Sequence, residues 1–419
     1  MPVTAPEPQR SAERNVYVFG ATSLLNDTAS EMAYWVLPAF LVSLGAGPAQ
    51  LGLIEGLAES VASFAQLFSG YITDRLDRRK PLVVAGYFVA NAVKPLLAVV
   101  GAWWQILLIR FTDRLAKGVR GAPRDVMVAE SVPKEHLGSA YGLIQAMDSA
   151  GAFAGPLVAL ALLAHYGIRS VFWAAVIPGA LCVMVALFGI RETQKPHFSQ
   201  KMREMGHPGD SDFDHAKKSA EAPNLSLSAL PGSFFIVLIA VSLFSLGNSS
   251  DMFLVMRAQN VGIPVALAPL LGLVFNLTYT LGSWPAGWFS DHFSRRGIAA
   301  AGYLIYAAVY FVFGRVPSTL AIWITMAVYG LYYALTQPVL KALVVETVAQ
   351  EVRGRALGVY AFVTSVATLA ASLITGQLWK HYGAGVPFYF SAGLAATSAV
   401  LLAISGTARS LTGITKEPG

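Results

Sequence analysis

Charged side chains form one stripe along an apolar stretch of the sequence near residues 103–129. The stripe has five bases and two acids: Arg110, Asp113, Arg114, Lys117, Arg120, Arg124 and Asp125. At 100° per residue these positions fall within an arc of roughly 140° on a helix. Because charge inside a membrane is costly, such a stripe should face other protein groups or a wet cavity. The sequence therefore predicts ion pairs whose members can exchange partners.

Acidic side chains on other apolar stretches can supply partners for these bases. Asp27 and Glu31 are spaced i,i+4, so they share one helical face. The same spacing relates Glu55 to Glu59, and Asp148 lies on a further stretch. A carboxylate removed from water binds a proton more readily, whereas a neighbouring cation favours its release. The predicted proton-coupling residues are Asp27, Glu31, Glu59, Asp148 and Arg114.

The elements that carry these charges are long apolar runs. Hydrophobic residues make up 55% of the 419-residue chain and charged residues only 13%, against about 25% charged in a soluble domain. Twelve runs are long enough to cross a ~30 Å hydrocarbon core. They lie near 17–44, 49–73, 82–101, 103–129, 139–164, 169–190, 231–258, 265–290, 297–314, 318–346, 354–379 and 384–406. The predicted fold class is an all-α membrane protein with twelve transmembrane helices.

Positive charge alternates from one connection to the next. The connections after even-numbered runs and both chain ends hold most of the Lys and Arg residues. The connections after odd-numbered runs hold or border four: Arg169, Arg257, Arg315 and Lys380. The positive-inside rule therefore predicts that the N and C termini are cytoplasmic. The net charge of +6 reflects this topology and does not indicate a nucleic-acid partner.

A duplication divides the chain into two halves. GYITDRLDRRK at 70–80 is echoed by GWFSDHFSRR at 287–296, an offset of 217 residues. ESVPKEHLGSAYG from Glu130 is echoed by ETVAQEVRGRALG from Glu346, an offset of 216 residues. Echoes at nearly one spacing predict two pseudo-symmetric six-helix bundles. The predicted regions are a polar N-terminal tail at 1–15, the first bundle at 16–190, a polar cytoplasmic linker at 191–230, the second bundle at 231–406 and a C-terminal tail at 407–419.

The twelve runs and the doubled loop resemble the major facilitator superfamily, from about Asn15 to Gly406. The first copy of the loop reads G-x3-D-R-x2-R-R-K, and the second copy is a weaker match. The resemblance implies that this loop latches the two halves together in one state of a transport cycle. The implied latch residues are Gly70, Asp74, Arg75, Arg78 and Asp291.

Two further motifs resemble those of the proton-coupled drug and metal exporters in this superfamily. RLAKGVRGA, which begins at Arg114, is similar to a fourth-helix motif but has bases at two normally neutral positions. GAFAGP is similar to a fifth-helix antiporter motif at Gly151, Gly155 and Pro156, without that motif's final glycine pair. The resemblance implies export of a solute in exchange for protons.

The resemblance also implies that the first and fourth helices line a central cavity. Asp27 and Arg114 lie about ten residues into their runs, ~15 Å from the membrane surface. Our hypothesis is that Asp27 and Glu31 face two fourth-helix bases across this cavity and exchange partners as protons or substrate arrive. Those bases are Arg114 and Lys117. The alternative is a static lattice of ion pairs, which is the role expected of Lys94, Arg110 and Glu55.

Polar residues of the second half should line the opposite cavity wall, because they interrupt apolar runs. The seventh run contains Asn248 and Asp251, and the eighth contains Asn276. The tenth run contains Gln337 and Lys341. With the four first-half residues named above, these five complete the predicted substrate cavity.

The sequence is interpreted as a secondary active transporter that works by alternating access and exports a small solute by proton antiport. The alternative within transport is uptake or exchange of a small anionic metabolite or metal chelate through a base-rich cavity. A non-transporting membrane receptor is a third interpretation, although a receptor has no need of two latch loops. The pattern favours a location in a bacterial inner membrane.

Other classes of function lack the residues they would need. Neither a nucleotide-binding loop nor a nucleophile–base set occurs, so we predict no enzyme activity and no cofactor. Cys182 is the only cysteine, which excludes a disulfide framework, and no metal site is predicted. The predicted partners are a small-molecule substrate, protons and the lipid bilayer. We expect the protein to be a monomer and to bind no nucleic acid.

Overall fold

The regular elements of the described chain are all helices. The computed structural model describes residues 7–75, 78–133, 136–192, 230–315, 318–348 and 353–412. The first half contains α1 (Glu7–Tyr34), α2 (Leu37–Ser43), α3 (Pro48–Arg75), α4 (Lys80–Val93), α5 (Trp103–Glu130), α6 (Leu137–Tyr166), α7 (Ile168–Ala174) and α8 (Val176–Gly189), with a 3-10 turn at Lys94–Ala98. The second half contains α9 (Gly232–Gly247), α10 (Met252–Asn260), α11 (Ala268–His292), α12 (Arg295–Arg315), α13 (Thr319–Glu346), α14 (Arg353–Tyr382) and α15 (Val386–Thr412), with a 3-10 turn at Val265–Leu267.

Several apolar runs are interrupted where the local sequence disfavours a continuous helix. The first run turns at Trp35, and Pro38 lies in the first turn of α2. Pro95 lies in the 3-10 turn that follows α4. Proline cannot donate a backbone hydrogen bond to the preceding turn, so both positions end one helical ladder. The seventh run is broken between α9 and α10 by the polar residues 248–251.

Ten helical segments of the described chain are long and apolar enough to cross a membrane. α1 and α5 are not among them, although each has 28 residues. Both carry several charged side chains, and α5 carries the whole charged stripe. The all-helical membrane fold is therefore confirmed, while the count of twelve spans stays a prediction.

The structure describes only part of the predicted boundary regions. α1 begins at Glu7, inside the segment predicted as the N-terminal tail. α15 continues to Thr412, inside the predicted C-terminal tail. Most of the predicted linker, residues 193–229, lies outside the described residues.

Equivalent helices pack together in the two halves. In the first half α3 and α4 pack on α5, and α4 packs on α8. Their counterparts in the second half make the same contacts: α11 and α12 pack on α13, and α12 packs on α15. The halves meet through α3 on α14 and through α6 on α11. These two contacts are equivalent, because α3 corresponds to α11 and α6 corresponds to α14. This pattern is the pseudo-symmetry that the sequence duplication predicts.

The two echoed motifs meet in space in each half. Arg79 donates to both carboxylate oxygens of Glu130, at 2.7 and 2.6 Å. In the second half Arg295 pairs with Glu346, the residue equivalent to Glu130. The two bases differ by one position in the aligned loops, so the contact is preserved with a local shift in register. Each half thus fastens the connection before its third run to the end of its fourth run.

The halves pack backbone to backbone where glycines of α3 meet α14. A Cβ atom on Gly52 would overlap the carbonyl oxygen of Ser372. A Cβ on Gly376 would lie only 2.6 Å from the carbonyl oxygen of Pro48. Because glycine has no side chain, the two backbones touch directly. We call this contact the glycine seam; it lies at the end of the bundle opposite the start of α1.

Candidate functional site

Two adjoining polar cavities lie beside α1 and α5. The first-half cavity, of about 320 Å³, is lined by first-half residues alone. The inter-half cavity, of about 470 Å³, is lined by residues of both halves. Glu59, Arg114 and Lys117 line both cavities, so the two meet at these side chains.

Two carboxyl groups meet in the first-half cavity. Asp27 of α1 and Asp148 of α6 line this cavity together. Asn26 donates a hydrogen bond to Asp27 at 3.1 Å. Two ionised carboxylates in one cavity repel each other, which favours the binding of a proton by one of them. The pair is therefore a chemically suitable place to load and release one proton.

Glycines of the antiporter-like motif explain why these carboxyl groups come together. A Cβ on Gly151 would lie 2.5 Å from a carbonyl oxygen of α1 and 3.1 Å from Cβ of Asp27. A Cβ on Gly155 would lie 2.7 Å from the carbonyl oxygen of Thr28, one turn farther along α1. α6 therefore packs backbone to backbone on α1, with Pro156 buried in the same stretch. This approach brings Asp148, on the preceding turn of α6, to Asp27.

Arg114 pairs with an acid of α3 where the two cavities meet. Its Nη2 atom lies 3.1 Å from Oε1 of Glu59. Its Nε atom is buried and has no hydrogen-bond partner among the described groups. Lys117 has no described carboxylate oxygen within 4.0 Å, although it faces both cavities. One base at the junction is thus paired and the other is available.

The acids of α1 share these cavities with the two bases without forming a direct ion pair. Asp27 lines the first-half cavity, and Glu31 lines the inter-half cavity. Glu31 accepts a hydrogen bond from Nε1 of Trp35 at 2.8 Å. Of the predicted proton-coupling residues, Asp27 and Asp148 line one cavity, and Glu59 is in contact with Arg114. Any exchange of partners would begin from these pairs.

Buried charges behind the cavities form a chain whose charges cancel. Arg110 donates to both oxygens of Glu55, at 2.9 and 3.0 Å. Asp113 lies 3.9 Å from Arg110 and 3.7 Å from Lys94. The Lys94 ammonium donates to Oδ1 of Asn26 at 3.5 Å, next to Asp27 in sequence. This chain has the form of the lattice expected of Glu55, Lys94 and Arg110, and it reaches the residue beside the carboxyl pair.

Asp251 is the acid of the second-half wall. It lines the inter-half cavity and accepts hydrogen bonds from the hydroxyl groups of Tyr329 and Tyr333, at 2.7 and 3.2 Å. No described Lys or Arg nitrogen lies within 4.0 Å of its carboxylate. Tyr329 and Tyr333 are spaced i,i+4, which places both on one face of α13.

Other predicted cavity residues connect the halves or lie outside the described part. Asn248 and Asn276 line the inter-half cavity, and Asn276 donates to the carbonyl oxygen of Ala152 at 3.3 Å. The Ser250 hydroxyl donates to Glu55 at 3.1 Å, which joins α3 to the break in the seventh run. The side chains of five predicted residues are not among those described: Gln337, Lys341, Asp74, Arg75 and Asp291.

The described latch positions lie near the end of α3 and just before α4. Gly70 faces Ala122 of α5, and a Cβ on Gly70 would lie 3.9 Å from it. Arg78 is exposed. The backbone N–H groups of Arg79 and Lys80 donate to the carboxylate of Glu192 at 2.7 and 3.1 Å. Sequence reasoning missed Glu192, which stabilises the N-terminus of α4 by placing negative charge there.

Sequence comparisons match nearly the full chain to membrane transporters. The family model described as Major Facilitator Superfamily matches residues 19–257 and 232–418. An uncharacterised MFS-type transporter of Methanocaldococcus jannaschii is 31% identical over 408 residues, which cover 94% of this chain and 96% of the relative. The multidrug resistance protein MdtG of Escherichia coli is 23% identical, with 93% of each chain covered.

Solved structures share the same arrangement of helices. The nucleoside transporter NupG superposes with a TM-score of 0.71 at 13% identity, covering 94% of this chain and 99% of NupG. A D-xylose-proton symporter superposes with a TM-score of 0.66 at 17% identity, covering 94% of this chain and 96% of the symporter. At these identities the likeness concerns the fold alone.

Proposed function

Because the chain belongs to the major facilitator superfamily, we propose that this integral membrane transporter exports a small solute in exchange for protons by alternating access. The observation that carries the proposal is that the acids Asp27 and Asp148 line one polar cavity together. With one proton bound the pair carries one negative charge, and without it the pair carries two.

The bases at the cavity junction can respond to this change in charge. Lys117 lines the same cavity as the carboxyl pair and has no described ion-pair partner. Loss of the proton favours movement of this ammonium towards the pair, because opposite charges attract strongly where water is scarce. Arg114 can then leave Glu59 for a substrate or return to it. The proton and the substrate would thus compete for one set of charges.

Transport direction and membrane orientation belong to the same proposal. The antiporter-like motif and the printed name of the relative MdtG, a multidrug resistance protein, support export. α1 and α5 pack along apolar spans in the interior of the first half, which supports counting them as membrane-crossing helices and so a total of twelve. With cytoplasmic termini in a bacterial inner membrane, the glycine seam would close the periplasmic side.

A resistance screen followed by a flux measurement tests the proposal. A sensitised bacterial strain expressing the protein is challenged with organic drugs, metal chelates and divalent cations. The compound against which it protects is then followed in proteoliposomes with an imposed pH gradient. We expect Asp27→Asn and Asp148→Asn to lose gradient-driven accumulation but to retain exchange of substrate down its own gradient.

The matched control neutralises an acid outside the cavities. Glu346→Gln changes an exposed side chain at the end of α13, so gradient-driven flux should persist. Wild-type pH dependence in the Asp27→Asn/Asp148→Asn double variant would overturn the assignment of the proton site.

Uptake or exchange of an anion is the second candidate, and one observation favours it. Arg120 lines the first-half cavity, and its buried Nη1 atom has no hydrogen-bond partner among the described groups. Together with Lys117 it could hold an anionic group. In the same proteoliposomes, this candidate predicts accumulation of an anionic probe that Lys117→Gln abolishes and Asp27→Asn does not.

A further inference from the structure

The break in the seventh helical run leaves polar groups inside the protein at membrane depth. α9 ends at Gly247 and α10 begins at Met252, so the helical hydrogen-bond ladder stops between them. Part of the break is satisfied, because the Tyr306 hydroxyl donates to the Gly247 carbonyl oxygen at 2.8 Å. The Ser250 N–H group donates to Oγ of Ser372 at 3.3 Å. Irregular backbone at this depth occurs where protein or a cavity covers it.

Two oxygen atoms at the break have no hydrogen-bond partner among the described groups. They are Oδ1 of Asn248 and Oγ of Ser249, and both are buried. The Ser249 residue is only 4% exposed, and both residues line the inter-half cavity. Buried polar groups are nearly always satisfied, so two orphaned oxygens side by side in sequence indicate an occupant.

The charge at the break also lacks a partner. Asp251 lies on the same cavity wall, and its hydrogen bonds come from neutral tyrosine hydroxyls. The nearby acids are already engaged, Glu55 by Arg110 and Glu59 by Arg114. The C-terminal end of α9 adds partial negative charge at Gly247. The break therefore presents one uncompensated carboxylate beside neutral oxygen ligands.

We propose that the break binds one monovalent metal cation, with Na⁺ as the test ion. Asn248, Ser249 and Asp251 would supply oxygen ligands, together with carbonyl oxygens that the interrupted helix frees. A single carboxylate matches a charge of +1, whereas divalent ions are held by more acidic oxygen sets. A proton would neutralise Asp251 but would leave the amide oxygen of Asn248 unsatisfied. Unwound helical segments coordinate Na⁺ in other transporters by the same chemistry.

This site is separate from the proton pair of the proposed function, because it lies on the second-half wall. The two can therefore be tested independently on the same purified protein. Asp27→Asn removes one member of the proton pair and should leave Na⁺ binding unchanged. Loss of Na⁺ binding in Asp27→Asn would show that the two sites are one, and would overturn the proposal.

Radioactive Na⁺ binding to the purified full-length protein in detergent is the direct measurement. We expect about one ion per chain, displaced by unlabelled NaCl and retained in N-methylglucamine chloride of the same ionic strength. Thermal unfolding, followed by tryptophan fluorescence, should shift upward by at least about 3 °C in saturating NaCl, since a ligand that binds the folded state alone stabilises it.

Two substitutions at the break and one matched control locate the ion. Asp251→Asn should abolish Na⁺ binding, and Ser249→Ala should weaken it at least tenfold. Ser242→Ala makes the same change on α9, but the Ser242 hydroxyl donates to the Leu238 carbonyl oxygen at 2.6 Å within the helix. We therefore expect wild-type Na⁺ affinity in Ser242→Ala.

The opposite results overturn the proposal. They are the absence of displaceable Na⁺, displacement by MgCl₂ but not by NaCl, and wild-type affinity in Asp251→Asn or Ser249→Ala. Ser249→Ala is a small change, so its result stands even where Asp251→Asn fails to fold.

Discussion

At the scale of single residues, the buried charges of the first half divide into two sets. The chain of Glu55, Arg110, Asp113 and Lys94 is internally neutral and closely spaced. The cavity groups are less completely paired, since Lys117 has no described carboxylate within 4.0 Å. The ion pairs of the chain hold α3 and α5 together, whereas a cavity with an available base can respond to a proton. The first set thus suits a structural role and the second a coupling role.

Replacing Arg110 tests the structural role. Arg110→Met leaves the carboxylates of Glu55 and Asp113 buried beside no guanidinium, and removing one partner of a buried pair costs ~3–5 kcal/mol. Arg295→Met breaks an ion pair whose side chains are 33% and 52% exposed, so it should cost less than ~1 kcal/mol. Scanning fluorimetry of both variants in detergent should show a far lower unfolding temperature for Arg110→Met alone. Equal losses in the two variants would contradict this account.

The sequence predicted which residues carry charge at depth but not which of them pair. Helical periodicity placed Arg114 and Lys117 on one face of the fourth run, and the structure places both in the cavities. The partner of Arg114 is Glu59 on α3, which depends on the rotation and tilt of two packed helices. A single sequence indicates which residues share one face of a helix. It does not indicate how the neighbouring helix is rotated against that face. The pairing therefore could not be derived before the packing was known.

At the scale of elements, the contact between α1 and α6 links a glycine motif to the proposed proton site. The motif glycines Gly151 and Gly155 remove the side chains that would keep the helices apart. Asp148 then lines the same cavity as Asp27. The motif was recognised in the sequence, but its physical role follows only from this contact.

Substitution of Gly155 tests that role. A Cβ at Gly155 would lie 2.7 Å from a carbonyl oxygen and 2.8 Å from Cβ of Glu31, so Gly155→Ala should push α6 away from α1. Separation of the two carboxyl groups should reduce gradient-driven flux by at least about tenfold, since two carboxyl groups can share a proton only when they lie close together. Gly142→Ala is the control on the same helix, because no atom lies within 4 Å of the added Cβ. Equal flux in the two variants would show that the close approach is unimportant for coupling.

Element boundaries were predictable to different degrees. Long apolar runs located α12 near 297–314, and the structure has Arg295–Arg315. The seventh run was predicted as one helix at 231–258, with its polar residues noted as an interruption, and the structure separates it into two helices. Hydropathy is averaged over a window, so it detects a span and does not detect a short loss of helical hydrogen bonding. The break could be located only from backbone geometry.

At the scale of the whole molecule, the glycine seam holds the halves together at one end. α3 and α14 touch there through backbone atoms, and the inter-half cavity lies between the halves beyond the seam. Under the proposed alternating access, this end opens while the opposite end closes. We therefore expect the seam to separate during the transport cycle.

A methyl group in the seam should shift the balance between the two states. Gly52→Ala places a Cβ against the carbonyl oxygen of Ser372, so the seam should separate. Spin labels at Val42→Cys and Tyr382→Cys, exposed positions on opposite halves near the seam, should show longer distances in Gly52→Ala. Cys182, the sole native cysteine, is buried and should not take up label.

The control lies on the other helix of the seam. Gly358→Ala adds a methyl group to α14 where no atom lies within 4 Å, so the distances should remain those of the parent protein. Unchanged distances in Gly52→Ala would mean that the seam accommodates a side chain without opening.

Backbone contact at the seam has a consequence for how such a protein can diversify. Gly52 and Gly376 contribute no side chain to the seam, so this contact can contribute little to substrate recognition. The residues that line the cavities lie at other positions, on α1, α5, the break in the seventh run and farther along α3 and α14. Mutations can therefore change the residues that recognise the substrate while the glycine seam stays unchanged. A gene with this architecture can acquire a new cargo through a few substitutions and inherit the movement unchanged.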